Sequence, residues 1–79
     1  MEWLLTVLII TTQKDSPFPH LTVERLTGIE KLETCLRVGF YTRAALLQPG
    51  FRLPSESLGL INEPIGREVI INCQAVRPA

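Results

Sequence analysis

The stretch Leu21-Thr22-Val23-Glu24-Arg25-Leu26-Thr27-Gly28-Ile29-Glu30-Lys31-Leu32-Glu33-Thr34-Cys35-Leu36 supports two incompatible readings, and the fold turns on which is right. As strands, it runs out over Leu21–Leu26, turns at Thr27-Gly28 and returns through Leu32. As a helix, Val23, Leu26, Ile29, Leu32 and Leu36 recur at spacings of three and four, one apolar stripe. Glu30 then stands three residues after Thr27, the spacing of a capping box. Gly28 in the first turn and the weak helix formers Thr22, Val23 and Thr27 oppose the helix. Both readings stay open: a small all-β barrel, or an α+β domain with one helix at about 21–36.

Around it, β signals predominate. Trp3-Leu4-Leu5-Thr6-Val7-Leu8-Ile9-Ile10 is short, rich in branched residues and bounded by polar ones, which predicts a buried first strand. Ser16-Pro17-Phe18-Pro19 breaks the chain after it, because each proline fixes φ and removes a donor. Over Leu36-Arg37-Val38-Gly39-Phe40-Tyr41-Thr42-Arg43, period two puts Leu36, Val38, Phe40 and Thr42 on one face. Arg37, Gly39, Tyr41 and Arg43 fall on the other, a basic and aromatic outer surface. Gln48-Pro49-Gly50 has the order of a type II turn, and Phe51-Arg52-Leu53 alternates briefly after it. A loop is expected through Pro54-Ser55-Glu56-Ser57 to Asn62-Glu63-Pro64-Ile65-Gly66. From Arg67 to Arg77, Val69, Ile71, Cys73 and Ala75 face inward. Glu68, Ile70, Asn72, Gln74 and Val76 form a mixed outer face that implies partial cover by a partner.

With 79 residues, 46% of them hydrophobic, and eight basic against eight acidic side chains, the chain makes one domain over 1–79. Such a length buries about 60–65% of the unfolded surface and yields roughly 4–12 kcal/mol of net stability. A homodimer is expected, because a second subunit hides more apolar surface. High hydrophobicity at zero net charge excludes a disordered tail. The same balance argues against a polybasic binder.

The eight-residue run at the start is too short to span a bilayer. With Glu2 as the only early charge and no small-residue cleavage pattern, it does not read as an export signal. The expected compartment is the cytoplasm, with Cys35 and Cys73 reduced. Two cysteines make no disulfide framework, and with His20 alone to assist they match no zinc spacing, so no metal or cofactor is expected. His20, between Pro19 and Leu21, is the one neutral-pH base and reads as a packing or surface residue. No phosphate loop, nucleophile elbow or metalloprotease motif occurs, and the carboxylates form no defensible pair, so an enzyme is not expected.

A binding surface is the more natural reading. Single strands are held by cations that follow phosphates and by rings on which bases stack, at about 1–3 kcal/mol per base. Arg37, Tyr41 and Arg43 on one strand face, Lys14 and Phe18 at the first turn, and Arg52 near the Pro-Gly turn are the candidate contacts. The competing reading is a solvated face on an α+β protein-interaction or dimerisation module that binds no nucleic acid.

Several segments resemble, in order, those of the helix-destabilising single-stranded-DNA-binding proteins of filamentous bacteriophages, the gene V protein family. These are Leu4-Leu5-Thr6-Val7-Leu8-Ile9, Pro17-Phe18, Thr34-Cys35-Leu36-Arg37-Val38-Gly39-Phe40, Gln48-Pro49-Gly50-Phe51-Arg52-Leu53-Pro54, Ser57-Leu58, Ile65-Gly66 and Val69 to Ala79. The resemblance implies a five-stranded antiparallel OB-like barrel. It also implies a cooperative homodimer that coats and sequesters phage single-stranded DNA during replication, without catalysis, cofactor or membrane. By that resemblance Phe18 stacks on a base, Lys14 contacts phosphate in a shortened wing, and Arg52 follows the matching aromatic at Phe51. The chain departs from the family in the wing between Thr12 and Phe18, in Ile65 where a stacking Phe is usual, and in Asn72 where a basic residue is usual.

Overall fold

The computed structural model describes residues 2–53, 59 and 64–76. Four elements follow one another: β1 (Glu2–Gln13), β2 (His20–Ile29), α1 (Leu32–Leu46) and β3 (Pro64–Val76). The strands form one sheet in the order β2-β1-β3, and β1 pairs antiparallel with both neighbours. α1 crosses from β2 to β3 over one face. The five-stranded barrel is therefore corrected to an open three-stranded sheet carrying a helix, a small α+β fold.

The disputed stretch is mostly strand, and the helix at about 21–36 is corrected to 32–46. Gly28 does not turn the chain back. Trp3 pairs with Ile29 and Leu5 with Leu26, so two residues of β2 oppose one of β1. Gly28 absorbs this bulge at φ +79°, a conformation that costs a side-chain-bearing residue energy. Ile29 thereby returns to the covered face and is buried. Thr27 and Glu30 do not cap α1; its N-cap is Lys31, which makes no side-chain capping bond.

The strand expected over Leu36–Arg43 lies inside α1. Its residues satisfy period two and helical spacing alike, and the run continues into Ala44, Ala45 and Leu46, strong helix formers. Glu33 in the first turn and Arg43 in the last suit the helix dipole. Leu36 and Phe40, expected inward, are 50% and 65% exposed. Cys35 and Gly39 are the buried pair instead, with Val38 and Leu46 packed against the core. Phe51-Arg52-Leu53 is not a strand; Leu53 is buried, and Phe51 and Arg52 are exposed.

The core lies between sheet and helix. Leu5, Val7 and Ile9 of β1 and Val69 of β3 meet Ile29, Cys35 and Leu53, with Trp3, Ile71 and Cys73 at the margin. The sulfurs of Cys35 and Cys73 are bonded, with the two Cα atoms 6.2 Å apart, so the reduced pair is corrected to a disulfide joining α1 to β3. Arg67 reinforces the same junction: its Nη1 donates to the Leu46 carbonyl at 2.7 Å, and its guanidinium lies 5.7 Å from the centre of the Phe51 ring. The Gln48-Pro49-Gly50 turn forms as expected, with Gly50 at φ +85° and the Phe51 amide donating to the Gln48 carbonyl at 3.2 Å. The expected loop at 54–58 and 60–63, including Ser57-Leu58, and the tail at 77–79 lie outside the described residues.

Candidate functional site

The basic and aromatic side chains do not share a strand face. Arg37, Tyr41 and Arg43 are wound on α1, so the outer ribbon they were expected to form is corrected. Arg37 and Tyr41, four residues apart, lie on the outward side of the helix. Arg37 Nη2 is 3.0 Å from Glu33 Oε1, an exposed pair of the kind that contributes little to stability. Tyr41 is 67% exposed and meets Phe40 edge to face, with ring centres 6.4 Å apart. Arg43 points toward β3, where its Nε donates to the Val69 carbonyl at 3.1 Å. Phe18, 74% exposed, and Lys14 belong to the β1–β2 hairpin loop. That loop is held by the Gln13 side-chain amide and the Ser16 hydroxyl, both donating to the Phe18 carbonyl. Arg52 lines a cleft with Thr11, Gly66 and Arg67 at the hairpin end of the sheet. The six residues are thus divided among the hairpin end (Lys14, Phe18 and Arg52), the outer side of α1 (Arg37 and Tyr41) and the β3 flank (Arg43). His20 lines an apolar groove of about 620 Å³ between β2 and α1, with Val7, Ile9, Leu46 and Leu53. No group of His, Cys, Asp and Glu able to hold a metal occurs among the described residues. Nor is any helix there long and apolar enough to cross a membrane.

A coherent apolar surface lies elsewhere among the described residues, on the sheet, where a scan for rings and cations does not look. Register alternation puts Leu5, Val7, Ile9 and Thr11 of β1 under α1, and Leu4, Thr6, Leu8 and Ile10 on the opposite face. There the pairing lays out rows across the sheet: Leu21, Ile10, Glu68; then Val23, Leu8, Ile70; then Arg25, Thr6, Asn72; then Leu4 and Gln74. No described element packs on this face. Leu21, Val23 and Ile70 are 58%, 50% and 45% exposed. An antiparallel sheet with one face in water normally alternates apolar with polar residues. β1 does not: it is apolar on both faces, the pattern of a strand covered on both sides. That signal was present in Leu4-Leu5-Thr6-Val7-Leu8-Ile9-Ile10, and the mixed outer face of the last segment carried its echo in Ile70. Searches against known families, curated proteins and solved structures found no match to this chain.

Proposed function

We propose that this chain is a small α+β protein-interaction module whose working surface is the uncovered face of its sheet. One observation carries the reading: Leu8, Ile10, Leu21, Val23 and Ile70 form a contiguous apolar centre that no described residue covers, with Arg25 and Glu68 at its margin and Leu4 beyond the row of Arg25, Thr6 and Asn72. Burying a half-exposed aliphatic side chain gains roughly 25 cal/mol for each Å² removed from water. Exposed apolar patches with polar rims mark association sites. The face offers shape and apolar area but no grouped nucleophile, base or metal ligand, and so fits docking better than chemistry.

Single-strand binding is the competing reading, and it retains Lys14, Phe18 and Arg52 as exposed groups. It loses the combined face of Arg37, Tyr41 and Arg43 on which it leaned, because α1 divides those three between its outer side and the β3 flank. Titration with oligo-dT at low salt separates the two. The module reading expects no saturable change in Trp3 and Tyr41 fluorescence, whereas saturable, salt-sensitive quenching supports the other. Val23→Lys combined with Ile70→Lys tests the face itself. The doubly substituted chain keeps its circular dichroism and loses any complex the unsubstituted chain forms in sedimentation. A complex that survives both lysines defeats the reading.

A further inference from the structure

We infer that the partner of the uncovered face is a second copy of this chain, stacked sheet on sheet about a two-fold axis; this rests on the module reading above. The argument is self-complementarity. Arg25 and Glu68 occupy opposite corners of the face, one row on either side of the line Val23, Leu8, Ile70. A two-fold axis lying in the interface across the strands at Leu8 sets β1 against β1 in opposite directions. Stacked sheets lie about 10 Å apart and incline by about 30°. Inclined in the sense that swings the partner subunit's Glu68 toward β2, Arg25 comes within about 6 Å of it in the plane, a separation the two long side chains close. The same contact recurs on the other side, as an isologous interface requires. Leu8 meets its own counterpart at the centre, where both copies are apolar and uncharged. Glu2 of β1, the other acidic residue on this face, lies at the far end beyond the overlap.

Area sets the strength. At about 33 Å² of sheet plane per side chain, the eleven side chains in the rows cover about 360 Å² per copy, which side-chain relief enlarges. For two copies that is about 720 Å², short of the roughly 1,000 Å² that a stable interface clears, so the dimer is weak and exchanges with monomer. The outer edge of β3 is a poorer route to self-association. Arg43 already occupies the Val69 carbonyl, and a charged side chain laid on an edge strand blunts edge-to-edge pairing.

Sedimentation of the intact chain from micromolar to near-millimolar concentration tests the inference, with hydroxyl-radical footprinting of Leu21, Val23 and Ile70 in the same samples. The expected result is a monomer–dimer equilibrium in which these three side chains become protected as dimer accumulates. Arg25→Glu and Glu68→Arg each weaken the dimer by about tenfold or more, through like charges placed across the interface. The double swap, Arg25→Glu with Glu68→Arg, restores it. Both positions of this cycle are exposed strand sites, and unchanged circular dichroism shows that the folds are equal. A chain that stays monomeric with the three side chains reactive overturns the second-copy inference and leaves the module reading to another partner. A dimer indifferent to the single swaps, or one in which the three side chains remain reactive, overturns it as well.

Discussion

Gly39 of α1 lies so close to Ile71 of β3 that a Cβ on the glycine would stand 2.9 Å from Ile71 Cδ1, and 3.1 Å from Leu5 Cδ1. This contact sets the height of the helix above the sheet. Glycine in mid-helix costs about 0.5–1 kcal/mol relative to alanine, and the close approach it permits offsets that cost.

Gly39→Val should therefore destabilise the fold by about 1–3 kcal/mol, because a branched side chain must push α1 away from Ile71 and Leu5. Urea unfolding followed at a helical wavelength measures it. An unchanged midpoint would show that the helix can lift without loss.

Replacing Cys35 and Cys73 together by Ala should lower stability by about 4 kcal/mol, the loop-closure value for a cross-link spanning 38 residues. For a domain of this size that is a large share of the total, so the double variant should melt at much lower temperature. Calorimetry of the oxidised protein and the double variant provides the comparison.

Thr11 is fully buried, and its Oγ1 has no hydrogen-bond partner among the described residues. Thr11→Val keeps the shape and removes the unpaired hydroxyl, so it should be neutral or stabilising by about 1 kcal/mol. A drop in melting temperature would mean that the hydroxyl has a use in the folded state.

Gly28→Ala should cost about 1–2 kcal/mol through backbone strain alone, since φ is +79° and no atom lies within 4 Å of the added Cβ. Gly28→Asn, a residue that tolerates this region better, should recover part of the loss. Equal effects from both would place the cost in packing rather than in the backbone.

The elements that proved legible in the sequence had a single period to offer. Trp3 to Ile10 could only be a strand, and the prolines at 17 and 19 and the Pro49-Gly50 pair punctuate where turns occur. Inward placement of Val69, Ile71 and Cys73 followed from plain alternation and holds. Leu36 to Arg43 misled because one set of residues fits both a ribbon and a helix, and only the extension into Ala44 and Ala45 decides between them. That one reassignment dispersed Arg37, Tyr41 and Arg43. The Cys35–Cys73 link depends on α1 crossing over the sheet, a long-range fact that local pattern does not contain. The uncovered face was legible in part, for β1 announces two apolar sides while the sequence alone does not tell which side the helix takes.

The bond between Cys35 and Cys73 closes a ring that includes Arg52, an exposed residue after α1. A single cut by trypsin after Arg52 would therefore not divide the molecule: the amino-terminal piece with β1, β2 and α1 would stay tethered to the piece bearing β3. Nicked protein would run as one band until a thiol is added and then fall into two, so the segment joining α1 to β3 can be severed while the central strand keeps both its neighbours.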